Sequence, residues 1–215
     1  MLEVRDLCAW HGAAQALFGV SLTVGNGELV VLQGLNGAGK STLLQAIMGL
    51  GPRVEGAISY QNESMLALPT HQRALRGLGY VPEDRRLFTA LTVRENLLIA
   101  ARRGASGALS VAQRQDQVLQ LFPALKTMLG RSAAHMSGGE QQMLSIARTL
   151  MTGPSLLLLD EPCEGIAPVL VESIRDALLS LKAQGMAMLV AEQNGILAER
   201  ADRVITLTAQ TAFTA

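Results

Sequence analysis

Composition and charge exclude several classes of protein. The chain has 215 residues, and 18 basic side chains balance 18 acidic ones, so the formal net charge is zero. This balance disfavours nucleic acid as a partner, because nucleic-acid binding usually needs a basic face. Cys8 and Cys163 form no CxxC motif, which favours a reducing compartment. No apolar run reaches the roughly 18 residues of a transmembrane helix and no signal-peptide pattern opens the chain, so we expect a cytoplasmic protein.

The first 83 residues alternate apolar strands with helices. Strand patterns cover 2–7, 20–24 and 29–33, and a glycine-rich loop then leads into a helix over 41–48. "GAISY" predicts another strand, Pro69 begins a short helix, and "LGYVP" predicts a strand that ends before the next turn. These segments predict strand, loop and helix units built around a sheet.

The segment from about 84 to 152 is predicted to be mostly helical. Thr92 with Glu95, and Ser110 with Gln113, each form a capping box ahead of an apolar stretch. Both boxes predict the start of a helix.

The alternation of strands and helices then returns. The strand "SLLLLD" precedes a helix over 170–182, the buried strand "MAMLVAE", a short helix and the strand "DRVITL". The tail "TAQTAFTA" gives no structural signal, so its conformation stays open. A helical segment inside an alternating frame predicts one domain, 1–215. We expect its core at about 1–83 and 153–215, with an inserted helical lobe at about 84–152.

The stretch "GLNGAGKS" matches the phosphate-loop pattern G-x-x-x-x-G-K-[ST] and lies between an apolar strand and a helix, as that motif requires. Its backbone N–H groups surround phosphate oxygens, Lys40 reaches the β and γ phosphates, and Ser41 offers an oxygen to Mg²⁺. We therefore predict that ATP and Mg²⁺ bind here. The predicted nucleotide-binding residues are Gly34, Leu35, Asn36, Gly37, Ala38, Gly39, Lys40, Ser41 and Thr42.

The strand "LLLLDE" ends in two carboxylates at the edge of the predicted sheet where ligands bind. We predict that Asp160 holds Mg²⁺ through water. Glu161, one residue further, is predicted to polarise the attacking water as a general base.

The stretch "MSGGEQQM" has two interpretations. Ser137 and Glu140 form a capping box, so the segment begins a helix. A cap alone does not need Gly138 and Gly139, because glycine is a poor helix former. Two bare positions also let an anion approach the free N–H groups at the helix start. The stretch is therefore consistent with a phosphate-binding segment as well as with a cap.

The phosphate loop, "SGGEQQ" and "LLLLDEP", in this order, resemble the ATP-binding subunit of an ABC transporter over roughly 2–207. Within the family, "YVPEDRRLF", "MSGGEQQML", "DEPCEGIAP" and "VAEQN" are most similar to LivF-type ATPases of branched-chain amino-acid importers. The resemblance implies an α/β fold with a P-loop NTPase (RecA-like) core, an N-terminal antiparallel β subdomain and an inserted helical lobe. It also implies ATP hydrolysis.

The resemblance implies partners as well. Two ATPase subunits, copies or sisters, would form a head-to-tail dimer on integral membrane permease subunits, peripheral on the inner face of the cell membrane. In such a dimer Ser137, Gly138, Gly139 and Glu140 contact the ATP that the other subunit's phosphate loop holds.

Several positions depart from the family pattern. Glu83 stands where a glutamine usually links Mg²⁺ to the membrane partner, and it keeps an oxygen ligand but adds a charge. Gln193 stands where a histidine usually senses the γ-phosphate, so by resemblance the catalytic residues are Glu161, Lys40 and Gln193. Either Trp10 or His11 could stack on adenine. The segment 164–167 lacks the usual dimer-interface pattern, and we assign it no catalytic role.

The sequence leaves several functions open. An ATPase of a urea or short-amide importer is one alternative, because "CEGI" resembles that group as well. A soluble ABC-type ATPase acting on DNA or ribosomes is another, although the neutral charge and single cassette disfavour it. A P-loop kinase would explain 34–41 but leave 137–140 without a role.

Overall fold

A computed structural model describes residues 1–101, 109–193, 195–208 and 212–214 of the chain, the last three by their backbone. The remaining residues include the end of the stretch "NLLIAARR", Asn194 of "VAEQN" and part of the tail, so predictions for them lie outside the described residues. The strands are β1 Leu2–His11, β2 Ala14–Val24, β3 Leu29–Gln33, β4 Arg53–Tyr60, β5 Glu63–Ser64, β6 Leu78–Val81, β7 Leu156–Asp160, β8 Ala187–Glu192, β9 Arg203–Leu207 and β10 Ala212–Thr214.

The helices alternate with these strands. The α-helices are α1 Lys40–Met48, α2 Thr70–Leu75, α3 Val93–Ile99, α4 Val111–Leu121, α5 Pro123–Thr127, α6 Gly138–Leu150 and α7 Pro168–Ala183. Among the described residues, none of the helices combines the length and apolar character that a membrane crossing requires.

One sheet brings the predicted motifs to a common edge. Its strand order is β10-β9-β3-β8-β7-β6, and the five strands from β9 to β6 run parallel. The strands β7 and β8 are buried along their whole length, as their aliphatic sequences require. Because parallel strands end on the same side, the residues that follow β3, β6, β7 and β8 lie close together.

The other sheet is antiparallel, with the order β2-β1-β4-β5. β2 begins at Ala14, six residues before the predicted strand, because it pairs with β1 from the His11 and Ala14 pair onward. Gly12 makes this tight turn with a φ of 60°. The helix α1 packs against strands of both sheets, so the phosphate loop before it lies between them.

The helices between β6 and β7 start as the capping boxes predict. In α3, Thr92 and Glu95 exchange the two hydrogen bonds of the box, and Ser110 and Gln113 do the same in α4. The helix α6 packs on α3, α4 and α5 and also on strand β6 of the core. The division into a core and a helical lobe stays a prediction.

The sequence leaves the conformation of the tail open, and the structure places a strand there. The strand β10 pairs antiparallel with β9, with Ala212 opposite Leu207 and Thr214 opposite Ile205. The unpaired edge of β9 offers backbone donors and acceptors that a following segment can satisfy. That pairing depends on the sheet and not on a local sequence pattern.

Candidate functional site

A cavity of about 290 Å³ lies at the edge where the parallel strands end. The phosphate loop forms part of the lining, and three acidic side chains from the segments after β6 and β7 form another part. The lining residues are Ala16, Asn36, Gly37, Gly39, Lys40, Ser41, Thr42, Glu83, Glu161 and Glu164. The structure therefore brings together the phosphate loop, the strand-end carboxylates and the predicted Glu83.

The phosphate loop has the backbone geometry of an anion site. Gly37 and Gly39 have φ angles of 81° and 94°, which side chains rarely allow. A Cβ on Gly39 would come within 2.6 Å of Leu17 and 2.9 Å of the Ala16 carbonyl oxygen. Gly39 also caps α1 without any side-chain hydrogen bond, so the N–H groups of the first turn stay available for phosphate oxygens.

Lys40 is buried at the base of the cavity, and its side chain is only 4% exposed. Its ammonium donates to the carbonyl oxygen of Gly34 at 2.8 Å and lies 3.0 Å from Glu161 Oε1. A buried ammonium needs such partners, because losing water costs a charged group several kcal/mol. The predicted phosphate-binding and catalytic side chains are thus in direct contact.

Glu161 adopts a strained backbone conformation, with a φ of 46°. Its N–H donates to the carbonyl oxygen of Ala191 at 2.9 Å, and its Oε2 accepts a long hydrogen bond of 3.3 Å from the backbone N–H of Gln193. A left-handed non-glycine residue costs about 1 kcal/mol or more and occurs often where neighbours fix a functional group. These contacts aim the carboxylate at the cavity.

Asp160 and Ser41 form the second polar pair. Ser41 Oγ donates to Asp160 Oδ1 at 2.8 Å, and the Tyr80 hydroxyl donates to Asp160 Oδ2 at 3.1 Å. Burial raises the pKa of Asp160, and the two hydrogen bonds oppose that rise. Burial and the nearby Asp160 charge also raise the pKa of Tyr80, so the phenol stays a donor at neutral pH.

The donor set at this pair fits Mg²⁺. No group of three or more His, Cys, Asp or Glu side chains suited to a metal occurs in the described part of the chain. Mg²⁺ does not need such a group, because it usually binds through one or two protein oxygens together with substrate phosphates and water. A hydroxyl and a carboxylate oxygen 2.8 Å apart, beside a phosphate loop, supply those ligands. Glu83 lines the same cavity.

The stretch 137–140 lies away from this cavity. Ser137 caps α6, its backbone N–H donates to Glu140 Oε2 at 2.7 Å, and its hydroxyl accepts from the Glu140 N–H. The capping box is therefore confirmed. Ser137 is exposed, and none of the four residues 137–140 is among those that line the cavity.

Gly139 is glycine for a packing reason that the sequence did not indicate. A Cβ there would lie 2.3 Å from Leu170 Cδ1 and 2.8 Å from Ile166 Cγ2. Gly138 differs, because its added Cβ would meet nothing closer than 3.4 Å, where Arg85 lies. Close helix packing therefore accounts for one of the two glycines.

The structure distinguishes Trp10 from His11. His11 Nε2 lies 3.2 Å from Thr42 Oγ1, at the first turn of α1. Trp10 is half-buried, and the Arg53 guanidinium covers its ring at 4.3 Å. His11 is thus the ring in contact with the phosphate-loop helix.

Gln193 and Leu35 line a second cavity, of about 490 Å³, on the other side of the phosphate loop. Gly34 and Ala38 line it too, and Asn36 and Gly37 line both cavities, so the phosphate loop borders the two of them. Leu35 is 76% exposed there.

Sequence reasoning missed Tyr80, Glu164 and Glu192. Tyr80 lies in the predicted strand "LGYVP". Its position near the end of that strand, at the edge of the sheet where ligands bind, is the signal that could have identified it. Glu164 lines the main cavity, although we assign its segment no catalytic role from sequence. Glu192 ends β8, is 1% exposed, and neither of its carboxyl oxygens has a hydrogen-bond partner of good geometry in the described chain.

Glu192 lies next to Cys163 and close to Glu161. Burial raises the pKa of Glu192 to about 7, the Glu161 charge adds to the rise, and the nearby thiol moderates it. Burial also raises the pKa of Cys163. A carboxyl group that is partly protonated at neutral pH thus lies behind Glu161.

Known proteins share both the sequence and the fold of this chain. The ABC transporter family model matches residues 17–164. The high-affinity branched-chain amino acid transport ATP-binding protein BraG of Pseudomonas aeruginosa is 42% identical over 208 residues, which are 96% of this chain and 88% of BraG. The lipopolysaccharide export system ATP-binding protein LptB of Escherichia coli K12 is 35% identical over 198 residues, which are 90% of this chain and 80% of LptB.

A solved structure confirms the predicted fold class. The dimeric post-hydrolysis state of the ATP-binding cassette MJ0796, bound to ADP and Pi, matches with a TM-score of 0.85 at 26% identity, over 100% of this chain and 98% of that one. The predicted resemblance to ABC ATPases of the branched-chain amino-acid type is confirmed by the family match and by BraG. The chain belongs to the ABC transporter family, as a subunit that binds and hydrolyses ATP.

Proposed function

We propose that this chain hydrolyses ATP at an interface between two ATPase subunits and thereby drives uptake of branched-chain or similar amino acids through membrane permease subunits. The observation that carries the proposal is the separation of the phosphate loop from the second glycine-led helix start. The phosphate loop lines the main cavity, whereas 137–140 begin α6 outside it, with Ser137 exposed. A second subunit, copy or sister, would bring its own helix start to this cavity, as a head-to-tail dimer does.

The side chains of the cavity support a division of labour in hydrolysis. The buried ammonium of Lys40 faces the β and γ phosphates, and the Glu161 carboxylate accepts the proton of the attacking water. Gln193 orients Glu161 through its backbone N–H. Ser41 and Asp160, with Glu83 at the same cavity, would hold Mg²⁺, which neutralises phosphate charge when bound. His11 is favoured over Trp10 as the ring beside the nucleotide, because it contacts Thr42.

The charge of the cavity supports the binding of a metal and nucleotide complex. Glu83, Glu161 and Glu164 outnumber Lys40 among the charged lining residues. A free nucleotide would meet net repulsion from these groups. A nucleotide bound to Mg²⁺ carries less negative charge, and it presents the cation to the carboxylates.

The transported substrate is the finer part of the proposal. Similarity to BraG favours branched-chain amino acids, and we propose a peripheral location on the inner face of the membrane with permease subunits as partners. A second candidate, favoured by the similarity to LptB, is an ATPase of an export system. A urea or short-amide importer stays the alternative that "CEGI" suggests.

The two-subunit site is tested by Ser137→Arg, with Glu161→Gln as the comparison. Glu161→Gln should keep ATP binding and accumulate a nucleotide-bound dimer in size-exclusion chromatography, because the general base is lost but the phosphate contacts stay. Ser137→Arg should keep ATP binding by the single subunit, measured by equilibrium dialysis, yet lose dimer formation and at least about 100-fold in turnover. Normal turnover by Ser137→Arg would return the stretch to a simple helix cap.

A further inference from the structure

The loop that follows β6 is bound along one face of α6. Ser145 Oγ donates to the carbonyl oxygen of Arg85 at 2.9 Å. The Arg148 guanidinium donates to the carbonyl oxygens of Arg85 and Arg86 at 3.1 and 2.7 Å. Positions three and four residues apart share a helix face, so these contacts form one row. The loop that carries Glu83 is therefore fastened to the helix that Ser137 begins.

Arg85 extends this row to the first turns of the helix through its side chain. Its Nε donates to Gln142 Oε1 at 3.2 Å, and a terminal nitrogen donates to Gln141 Oε1 at 3.4 Å. Gln142 is only 2% exposed, and its amide nitrogen has no hydrogen-bond partner in the described chain. The hydrogen bond from Arg85 thus fixes the orientation of this buried amide.

The guanidinium also lies against the bare face of Gly138. A Cβ there would be 3.4 to 3.7 Å from three guanidinium atoms of Arg85. On another side of the same turn, Gly139 packs against Ile166 and Leu170, in the segment that follows Glu161. The helix start is therefore held between the two loops that carry Glu83 and Glu161.

The backbone of the loop is strained where it meets the helix. Arg85 and Arg86 both have positive φ angles, 61° and 46°. Such conformations persist in non-glycine residues when surrounding contacts over-determine them. The hydrogen bonds from Ser145 and Arg148 to these two carbonyl groups are contacts of that kind.

We propose that Arg85 is a positioning residue that fixes the helix start at Ser137 and Gly138 relative to Glu83. This inference rests on the proposed function, in which Glu83 serves the chain's own nucleotide and Ser137 serves the partner's. Arg85 is not among the residues that line the nucleotide cavity. Its loss leaves the phosphate loop and Lys40 in place but frees the helix start that faces the other subunit.

The test compares Arg85→Ala with Arg86→Ala in the full-length chain. Arg86 is a matched control, because it is adjacent, also has a positive φ, and directs its guanidinium to Asp84 at 3.0 Å. Hydrogen exchange should become at least about fivefold faster at the amides of 140–145 in Arg85→Ala and stay near wild type in Arg86→Ala. This measurement needs no partner subunit.

Turnover in the ATPase dimer, formed with a copy or with a sister subunit, gives the second readout. Arg85→Ala should lower kcat about tenfold and change the KM for ATP by less than about twofold, because a charge-assisted hydrogen bond is lost away from the bound nucleotide. In a double-mutant cycle with Gln142→Leu, the second change should add little to the first.

Three results would overturn the proposal. The first is equal hydrogen-exchange rates at the amides of 140–145 in Arg85→Ala and in the Arg86→Ala control. The second is a rise in the KM for ATP that matches the fall in kcat. The third is full additivity of the effects of Arg85→Ala and Gln142→Leu on kcat. The Ser137→Arg variant distinguishes failure of the positioning role of Arg85 from failure of the two-subunit site. If it loses turnover while Arg85→Ala behaves as the control, only the positioning role fails; if it keeps turnover, the two-subunit site fails as well.

Discussion

The carboxyl group of Glu192 illustrates how one buried side chain can make stability depend on pH. It is 1% exposed and lies beside Cys163 and Glu161, and burial is the main cause that raises its pKa from 4.5 to about 7. The folded chain therefore keeps this proton to a higher pH than the unfolded chain does. The stabilisation is fully present below about pH 4.5 and is lost as the pH rises through 7.

Replacing this group should remove that dependence. A rise of this size corresponds to about 3 kcal/mol of unfolding free energy between the two limits. We expect Glu192→Gln to resemble wild type at pH 4 and to be more stable by up to about 3 kcal/mol at pH 8.5, since an amide cannot ionise. Urea unfolding at both pH values measures the difference. Free energies of unfolding that change with pH in the same way in both proteins would contradict this expectation.

At this scale the motif residues could be predicted from sequence, and their supporting residues could not. Lys40, Ser41, Asp160 and Glu161 belong to short patterns whose chemistry is local. Tyr80 reaches Asp160 across 80 residues of chain, because β6 and β7 are neighbours in a parallel sheet. No local pattern specifies which strands become neighbours.

The two glycines at the start of α6 differ in how closely neighbouring side chains pack against them. The added Cβ of Gly139 would clash with Leu170 and Ile166, at 2.3 and 2.8 Å, whereas that of Gly138 would have ordinary contacts. Overpacking of this kind typically costs about 1 to 3 kcal/mol, and the higher helix propensity of alanine offsets up to about 1 kcal/mol.

We therefore expect Gly139→Ala to lower the free energy of unfolding by about 1 to 2 kcal/mol. Gly138→Ala, the matched control, should leave it unchanged or raise it by a few tenths of a kcal/mol. Chemical denaturation of both variants at one pH measures the contrast. Equal stabilities would mean that Leu170 and Ile166 move aside without cost.

Helix starts were predictable at the scale of elements because capping boxes are local, and Thr92, Ser110 and Ser137 all cap as expected. The limits of the strands were less predictable from sequence. β2 is longer than its apolar pattern because backbone pairing with β1 extends it, and β10 exists because β9 has an edge to fill.

At the scale of the whole molecule, a group of large apolar side chains is exposed close to the Glu83 loop. Phe88, Leu98 and Ile99 are large apolar side chains that are 50%, 42% and 57% exposed, and Asn96 ties the Phe88 backbone to α3 through two hydrogen bonds. Phe88 follows the Glu83 loop directly. A permease subunit packed here would sense changes at the nucleotide cavity through one short segment.

Transport assays decide the substrate class. In cells that lack the chain, uptake of labelled leucine should fall and should be restored by wild type but not by Glu161→Gln, because the proposed function couples uptake to ATP hydrolysis. Excess isoleucine or valine should compete with leucine, whereas urea should not. Unchanged leucine uptake, with loss of urea uptake or of an export function, would reassign the substrate and leave the ATPase site intact.

The stacked pair of Trp10 and Arg53 makes the chain its own optical reporter. Trp10 is the single tryptophan among 215 residues, its ring lies 4.3 Å from a guanidinium, and its neighbour His11 contacts Thr42 at the phosphate-loop helix. Indole emission responds to nearby charge and to solvent exposure. Its intensity and wavelength therefore report on the surroundings of Trp10, one residue from the contact between His11 and the phosphate-loop helix, without any attached dye, in the unmodified protein and in every variant that keeps Trp10.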